Sequence, residues 1–267
     1  AKINHPSIVT PKGIVSDEAG QPIGFYMSYV EGEVLSKFFV TDHRTRNSFG
    51  DKETRDVVEK MRDATICAHN NGALMVDANE LNWLLGSNKP YVIDVDSWSI
   101  GNWPATVIMP SIRDWKAKKF SQETDWFSWG IVTFQLFTGI HPYKGKHDGY
   151  KPGELQKRMI DGVSVFNPEV RLPHSVRDIN NIPSRLLDWY RAEFHKGERT
   201  SPPSPFETVV LAPKPARTLR VVGSASGMLV HTKVFSNTKE EVVRISQNGV
   251  ALCKSGNLVD LQNAKII

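Results

Sequence analysis

Residues 125–139 constrain the fold more than any other part of the sequence, because they are apolar on almost every face of a helix. The aromatic and aliphatic residues of this segment are Trp126, Phe127, Trp129, Ile131, Val132, Phe134, Leu136 and Phe137. A helix of this kind has to be buried on most sides. We therefore expect residues 125–139 to form the central helix of a helical core.

The composition is that of a globular chain, with 40% hydrophobic and 23% charged residues among 267, so extensive disorder is not expected. No stretch approaches the roughly 18 apolar residues of a membrane span, and the first residues do not show the basic-then-apolar pattern expected of a signal segment. The net charge of +4 comes without a Lys/Arg block, so neither a membrane nor a nucleic acid is an expected partner. Cys67 and Cys253 are too few for a disulfide framework, and we expect reduced interior thiols in a cytoplasmic protein.

Three elements are expected in the first 71 residues. Residues 7–10 and 24–30 predict short strands, the second of them buried, because they are rich in apolar, β-branched or aromatic side chains. Residues 51–70 predict an amphipathic helix, since apolar residues recur at steps of three and four until Asn70-Asn71-Gly72.

A β-hairpin is expected next. Residues 81–85 and 91–94 are short apolar runs, and the turn between them, 86–90, contains Gly, Ser, Asn and Pro. Two further helices are expected over 152–162 and 182–195.

The amino-acid composition of the chain changes after residue 200. Proline-rich stretches at 201–205 and 212–215 predict a linker. The short β-type runs beyond it, separated by Gly, Ser and Asn, are 219–222, 227–233, 241–245 and 250–253. We expect a separate β-rich segment that is small for independent stability.

Three polar residues around the hairpin carry the strongest functional signal. Asp77 lies in the loop before the hairpin, Asn82 begins its first strand and Asp94 ends its second. Because a hairpin returns its end close to its beginning, Asn82 and Asp94 should be neighbours, with Asp77 beside them. An amide and a carboxylate supply oxygen ligands suited to Mg²⁺, and a second carboxylate can accept a proton from an attacking hydroxyl. A single loop Asp or Asn is usually only solvated, but the combined spacing favours a site.

Several motifs, in order over about 200 residues, resemble those of the protein kinase family. The matching segments are 5–9 (the HPNIV stretch), 27–32 (gatekeeper and hinge), 76–82 (the catalytic loop HRDxxxxN), 93–96 (the metal-binding DFG motif), 124–130 (the DxWSxG opening of the central helix) and 196–199 (the Arg-bearing turn before the last helix). The resemblance implies an α+β, protein-kinase-like fold. A remnant of the N-lobe with the hinge would occupy residues 1–34, the helical C-lobe 35–211, and the β-rich segment 212–267.

The resemblance also implies roles at the phosphate end of the site. Asp77 would orient and deprotonate the acceptor hydroxyl. Asn82 and Asp94 would hold Mg²⁺ against the phosphates of ATP, with Asp96 as a further candidate ligand. The residues given structural roles are Asp125, which would fix the backbone of the catalytic loop, and Arg199.

At the adenine end, the resemblance implies main-chain pairing. The carbonyl of Ser28 and the amide of Val30 would pair with the adenine edge behind Met27. Leu84 would pack beneath the ring, and Glu33 would reach the ribose. In any fold, Met27 and Leu84 could equally be ordinary core residues, and Glu33 a solvated surface acid.

The sequence departs from the family pattern near the catalytic residues. Val95 and Asp96 replace Phe and Gly, so Asp96 is a second candidate for the metal ligand. Asp94 is favoured, because it directly follows the predicted strand 91–93. Met75 and Val76 replace the His and Arg that precede the catalytic Asp in the family. Without that Arg, a phosphate group on the activation loop would have no nearby positive charge to bind. We therefore expect activity that does not depend on activation-segment phosphorylation.

Other family features are absent from their usual places. Asn79 replaces the phosphate-binding Lys of Ser/Thr kinases, and residues 110–113 show no clean APE motif. In the family, the Gly-rich phosphate loop, the strand Lys and the Glu-bearing helix precede the HPNIV stretch, which starts here at residue 5. We expect a kinase domain cut off at its N-terminus that binds ATP poorly and phosphorylates little as it stands.

The leading hypothesis is ATP- and Mg²⁺-dependent phosphoryl transfer to Ser/Thr hydroxyls of protein substrates. The alternatives are a pseudokinase or scaffold, a small-molecule phosphotransferase, and a binding module whose unknown partner is held by the β-rich tail. The intact set of Asp77, Asn82 and Asp94 argues against a pseudokinase. The Asp125-Trp126 helix opening and a helical subdomain ending near Arg199 favour protein acceptors.

Overall fold

The computed structural model of this chain describes residues 3–105, 107–206, 242–246, 249–261 and 265–266. The chain divides into two compact units, residues 1–208 and 209–267. Both α-helices and antiparallel strands are present, in agreement with the expected α+β class. Within the described ranges, no helix is both long enough and apolar enough to cross a bilayer.

The first unit combines short strands with a helical body. Its elements in chain order are β1 (Pro11–Ser16), β2 (Pro22–Met27), β3 (Glu33–Val34), α1 (Thr41–Arg46), α2 (Asp51–Asn70), β4 (Ala73–Leu74), β5 (Trp83–Gly86), β6 (Lys89–Val92), β7 (Ser99–Ile100), α3 (Gln122–Thr138), α4 (Leu155–Asp161) and α5 (Ser184–Arg191). A 3-10 turn, Leu35–Phe39, precedes α1, and a π-helical turn, Ala192–Lys196, follows α5.

Helix α3 is the centre of the core, as its sequence predicts. It begins after Ser121, whose N–H donates to the Thr124 hydroxyl (2.9 Å), and it ends at Gly139, which has a left-handed φ of 78°. Nearly all its residues are buried. The amphipathic helix α2 packs against α3 and buries residues such as Val57 and Met61 on one face, so the prediction for 51–70 is confirmed.

The hairpin that carries the predicted site is also confirmed. β5 pairs with β6 in antiparallel register, with Trp83 opposite Val92, and β3 adds to the other edge of β5. The turn residues Ser87 and Asn88 have φ values of 49° and 58°, as a type I′ hairpin turn requires. Both strands lie closer to the turn than predicted: β5 begins at Trp83 and β6 ends at Val92, so Asn82 precedes β5 and Asp94 follows β6.

The N-terminal strands were predicted wrongly in two respects. Residues 7–10 form only an isolated parallel bridge between Ile8 and Val92, and the strand begins at Pro11. β2 pairs with β1 in a hairpin whose residues are mostly exposed, so residues 24–30 are not a buried strand. Aromatic and β-branched content favours a strand but does not decide whether other elements cover it.

The second unit is described only in part. β8 (Val242–Ile245), β9 (Val250–Cys253), β10 (Leu258–Asp260) and β11 (Lys265–Ile266) form one antiparallel sheet in the order β11-β10-β9-β8. A small cluster of Ala251, Cys253 and Val259 is buried in it. The predicted strands at 219–222 and 227–233 and the stretch 212–215 lie outside the described residues. Among the described residues Cys67 is half-buried and Cys253 is buried.

Candidate functional site

An open cleft of about 600 Å³ brings together residues that are far apart in the sequence. Its lining residues are Phe25, Met27, Ser28, Tyr29, Val30, Leu84, Ile93, Asp94 and Asp96. β2 and the segment after it supply one wall, β5 supplies Leu84, and the segment after β6 supplies the acidic end. The cleft could therefore accept a flat apolar group between Met27 and Leu84, with a charged group toward Asp94 and Asp96.

Hydrogen bonds tie the loop of Asp77 to this acidic end. The main-chain oxygen of Asp77 accepts a hydrogen bond from Nδ2 of Asn82 (2.8 Å). The main-chain oxygen of Asn82 in turn accepts from the N–H of Ile93 (2.9 Å), the residue before Asp94. Because Nδ2 of Asn82 is engaged as a donor, the amide oxygen is the atom of this side chain that a cation could use. Asp77 itself is half-buried, and its Oδ1 accepts from the N–H of Met109 (2.8 Å).

The acidic end carries concentrated negative charge. Partial burial, then the charge of Asp96, then that of Asp77 raise the pKa of Asp94 above its ordinary value. Asp94 also has a left-handed φ of 62°, a conformation that Asp adopts more readily than most residues. The charges of Asp77 and Asp96 thus both act on Asp94, and Asn82 links the loop of Asp77 to the segment of Asp94.

A buried carboxylate holds the backbone just before Asp77. Asp125, at the start of α3, accepts hydrogen bonds from the N–H groups of Met75 (2.7 Å) and Val76 (3.0 Å) and contacts Nε2 of His69 (2.9 Å). Val76 has a φ of 50°, which is strained for a β-branched residue. The carboxylate contacts both peptides at this point, and it therefore fixes the backbone turn that presents Asp77.

Glu33 does not line the cleft, and neither do Asp77 and Asn82, although hydrogen bonds tie those two to its acidic end. The carboxylate of Glu33 contacts Nζ of Lys37 (2.7 Å) and Nε2 of His43 (3.0 Å). The hydrogen bond from Lys37 lowers the pKa of Glu33. A role for Glu33 at a ribose stays a prediction.

Arg199 lies in the helical body and contacts two buried acids. Its Nε donates to Oδ2 of Asp114 (2.7 Å), and its guanidinium lies 3.4 Å from Oε1 of Glu193. It also stacks over the ring of Phe127, 4.6 Å from the centroid. These contacts tie the segment before α3 to the chain after α5, which is a structural position.

Sequence reasoning missed three residues that support the site: His69, Met109 and Asp114. Nothing in the local spacing around His69 marks it, and Asp114 lies next to the stretch in which no APE motif was found. Each contact joins residues at least 32 positions apart. No local spacing could have revealed them; the only available signal was an acid close to the position where the family carries one.

The acidic end fits Mg²⁺ bound together with a phosphate group. Within the described ranges, no three His, Cys, Asp or Glu side chains are grouped to hold a metal by themselves. Mg²⁺ in nucleotide sites uses one or two carboxylates and takes its remaining ligands from phosphates and water. Burial, and after it the charges of Asp96 and Asp77, raise the pKa of Asp94, and a bound cation would favour its charged form. Asn82, Asp94 and Asp96 therefore suit a shared metal–phosphate site.

Comparison with known proteins supports a distant relationship to kinases. No family model matches the chain. A curated protein named serine/threonine-protein kinase 1, from Heliothis zea nuclear polyhedrosis virus, is 26% identical over 149 residues, which are 53% of this chain and 54% of that protein. The chain therefore spans about half the length of the relative it matches. This similarity suggests a kinase-like relationship and possible phosphotransfer.

Proposed function

We propose that this protein transfers the γ-phosphoryl group of ATP, in the presence of Mg²⁺, to a Ser or Thr hydroxyl of a protein acceptor. One observation carries the proposal: a single cleft joins the hinge-like residues 27–30 to Asp94 and Asp96, and the loop of Asp77 and Asn82 is hydrogen-bonded to the acidic end. The kinase similarity of the viral relative points to the same chemistry.

The residues of the cleft and of the neighbouring loop would have separate roles in nucleotide binding and in proton transfer. Main-chain groups of Ser28 and Val30 would bind the adenine edge, with Met27 and Leu84 against the ring. Asn82 and Asp94 would hold Mg²⁺, with Asp96 beside them, and the cation would neutralise phosphate charge.

Asp77 would accept the proton of the acceptor hydroxyl as the bond from its oxygen to phosphorus forms. The bond from phosphorus to the β,γ-bridging oxygen breaks, and ADP leaves with the electron pair. The hydrogen bond from Met109 to Oδ1 of Asp77 holds the carboxylate in one orientation, so that a defined oxygen faces the acceptor.

The test measures binding and transfer separately on the 267-residue chain. Binding of a fluorescent ATP analogue is titrated with and without Mg²⁺, and transfer of ³²P from labelled ATP to casein and to myelin basic protein is followed by phosphoamino-acid analysis. In line with the poor ATP binding expected from the sequence, we expect weak but Mg²⁺-dependent binding, and a low level of label on Ser or Thr. Asp77→Ala should abolish transfer but keep binding, whereas Asp94→Asn should weaken Mg²⁺-dependent binding at least about tenfold. The matched control is Asp188→Asn, an exposed acid on α5 outside the cleft.

The alternatives predict different results. Nucleotide binding without transfer to any acceptor would identify a pseudokinase or scaffold. Transfer to a sugar or aminoglycoside, with none to proteins, would identify a small-molecule phosphotransferase. Absence of Mg²⁺-dependent nucleotide binding would contradict the proposed function.

A further inference from the structure

The segment that follows Met109 presents a run of exposed positive charge. Arg113, Lys116, Lys118 and Lys119 are all exposed. The acid among them, Asp114, is buried: its Oδ2 accepts from Nε of Arg199 (2.7 Å) and its Oδ1 from the N–H of Lys116 (3.1 Å). The carboxylate of Asp114 is therefore paired in the protein interior, and the exposed side chains of this segment carry positive charge.

Three of these cations line a small pocket of about 90 Å³. Arg113, Lys118 and Lys119 line it together with Asp114, whose carboxylate is paired with Arg199, and Ile108 and Phe120 add an apolar wall. In the part of the chain that the structure describes, these three side chains form no ion pair with a carboxylate. The guanidinium of Arg113 stacks on Trp115, 4.8 Å from the ring centroid, which limits the freedom of this side chain before any anion arrives.

The segment is fixed between Asp77 and helix α3. At its start, the N–H of Met109 donates to Asp77 (2.8 Å). Further on, the main-chain oxygen of Ile112 accepts from the Ser128 hydroxyl on α3 (2.9 Å), and that of Ser111 contacts Nε2 of His141 (2.8 Å). The pocket is therefore held in a constant position relative to the proposed catalytic carboxylate.

The chain length sets how far the pocket can be from that carboxylate. Arg113 follows Met109 by four residues, which span at most about 14 Å. An extended acceptor peptide covers the same distance in about four residues. An anionic side chain of the acceptor within about five positions of its hydroxyl could reach the pocket.

We propose that this basic pocket selects acceptor proteins carrying a carboxylate or phosphate side chain close to the hydroxyl that is modified. The inference rests on the proposed phosphotransfer and specifies its substrate class. Arg113 can bind either anion with two parallel hydrogen bonds, and the two lysines add positive charge. Exposed pairs of this kind are individually weak, so two or three of them together give a preference of about tenfold.

The experiment scans an acceptor peptide with one Ser. Asp, phosphoserine, Ala or Lys is placed in turn at each of the five positions on either side, and kcat/KM is measured for the 267-residue chain. We expect Asp and phosphoserine to exceed Ala by about tenfold at one or two positions, and the preference to shrink as salt is raised. The Asp and phosphoserine arms distinguish an acidic acceptor from one that has already been phosphorylated.

In the variant Lys118→Gln with Lys119→Gln, kcat/KM for the acidic peptide should fall to within about twofold of kcat/KM for the neutral peptide. The matched control, Lys144→Gln with Lys146→Gln, removes the same charge from exposed lysines elsewhere and should keep the ratio of the two kcat/KM values. Equal kcat/KM for acidic and neutral peptides, or equal loss in both variants, would overturn the inference while leaving the phosphotransfer intact.

A binding measurement separates failure of the inference from failure of the proposed function. Fluorescence anisotropy follows a labelled acidic peptide and its neutral counterpart on the Asp77→Ala variant. Suppose that no peptide is phosphorylated. Tighter binding of the acidic peptide that depends on Lys118 and Lys119 would then support the basic pocket as an anion site and contradict only the proposed phosphotransfer. Equal binding of both peptides rejects the pocket as well.

Discussion

At the scale of single residues, Asp125 shows how one buried carboxylate can organise a site that it does not line. Two backbone N–H groups and the ring of His69 converge on it. The donors on Met75 and Val76 would otherwise be buried without partners, and the turn at Val76 would have nothing to hold its strained φ. Asp125 therefore acts on the position of Asp77 through the backbone.

Asp125→Asn tests this role. The amide offers one acceptor oxygen where the carboxylate offers two, so at least one buried donor loses its partner, and the free energy of unfolding should fall by about 1–3 kcal/mol. Urea unfolding measures the loss, with the exposed Asp188→Asn as control. If Asp125→Asn unfolds at the same urea concentration as the unchanged protein, the carboxylate does not hold this turn.

A second residue-scale prediction concerns the pair Asp94 and Asp96. Because burial and then the charge of Asp96 raise the pKa of Asp94, its carboxylate takes up a proton at a higher pH than an ordinary Asp. Mg²⁺-dependent nucleotide binding should therefore begin to weaken at a higher pH on acidification. Asp96→Asn removes the neighbouring charge and should lower the pKa of Asp94. The loss of nucleotide binding on acidification, the acid limb of the pH profile, should then move to lower pH.

The measurement is the dissociation constant for Mg²⁺ and ATP between pH 4 and 8 in both proteins. It also decides which acid is the principal ligand: if Asp94 is, Asp94→Asn should weaken binding at every pH more than Asp96→Asn does. An acid limb that stays in place in Asp96→Asn would contradict the electrostatic coupling.

At the scale of elements, the β5–β6 hairpin places the site. It supplies Leu84 to the cleft and returns the chain so that Asp94 lies near the loop of Asp77. Its turn keeps two non-glycine residues, Ser87 and Asn88, at positive φ. Such a conformation costs most residues roughly 1–2 kcal/mol, so the turn is not optimal for stability.

Replacing the turn by Asn-Gly should stabilise the hairpin. Ser87→Asn with Asn88→Gly puts the two residues preferred in a type I′ turn at these positions, and we expect the free energy of unfolding to rise by about 1 kcal/mol. Ser87→Asn with Asn88→Ala is the control, because Ala does not relieve the left-handed conformation. Equal urea midpoints for both double variants would show that the turn does not limit stability.

At the scale of the whole molecule, the sequence predicted the elements that have strong periodicity or uniform apolarity. Helices α2 and α3 and the β5–β6 hairpin belong to this group. Helix α1 was not predicted, because it is short and polar and its buried residue is Arg44, whose guanidinium donates to the main-chain oxygen of Leu136 (2.9 Å). Only the assembled core gives such an arginine a partner.

The site follows the same division. The proximity of Asp77, Asn82 and Asp94 could be predicted, because a hairpin converts a sequence interval into a spatial one. The pairing of Arg199 with Asp114 could not, since 85 residues separate them and a buried ion pair leaves no periodic signal. The exposure of β2 likewise depends on which elements cover a strand, and residues 24–30 alone do not contain that information.

The buried acids around Arg199 affect how the stability of the whole molecule depends on pH. Burial raises the pKa of Glu193 to about 8, although Arg199 opposes the shift. Glu193 is therefore mostly protonated in the folded protein at neutral pH, and Asp114 is the main charged partner of Arg199. Burial lowers the pKa of His141 to about 4, so the folded protein holds this imidazole neutral.

The two groups act in opposite directions. Between about pH 4.5 and 8, folded Glu193 keeps a proton that the unfolded chain has lost, so stability falls as the pH rises, by at most about 1.4 kcal/mol per unit. Between about pH 6.5 and 4, the unfolded chain binds a proton at His141 that the folded chain does not, so stability falls as the pH drops. Their contributions cancel below pH 6.5, and the effect of Glu193 remains above it.

Glu193→Gln should therefore flatten the profile above pH 6.5. The amide cannot ionise, so the variant should gain stability relative to the unchanged protein with each step from pH 6.5 to 8. Urea unfolding at half-unit intervals measures the difference, and Glu198→Gln, an exposed glutamate five residues along the chain, controls for loss of charge. Parallel profiles for Glu193→Gln and the unchanged protein would mean that Glu193 is already ionised in the folded state, with Arg199 sharing its charge between both acids.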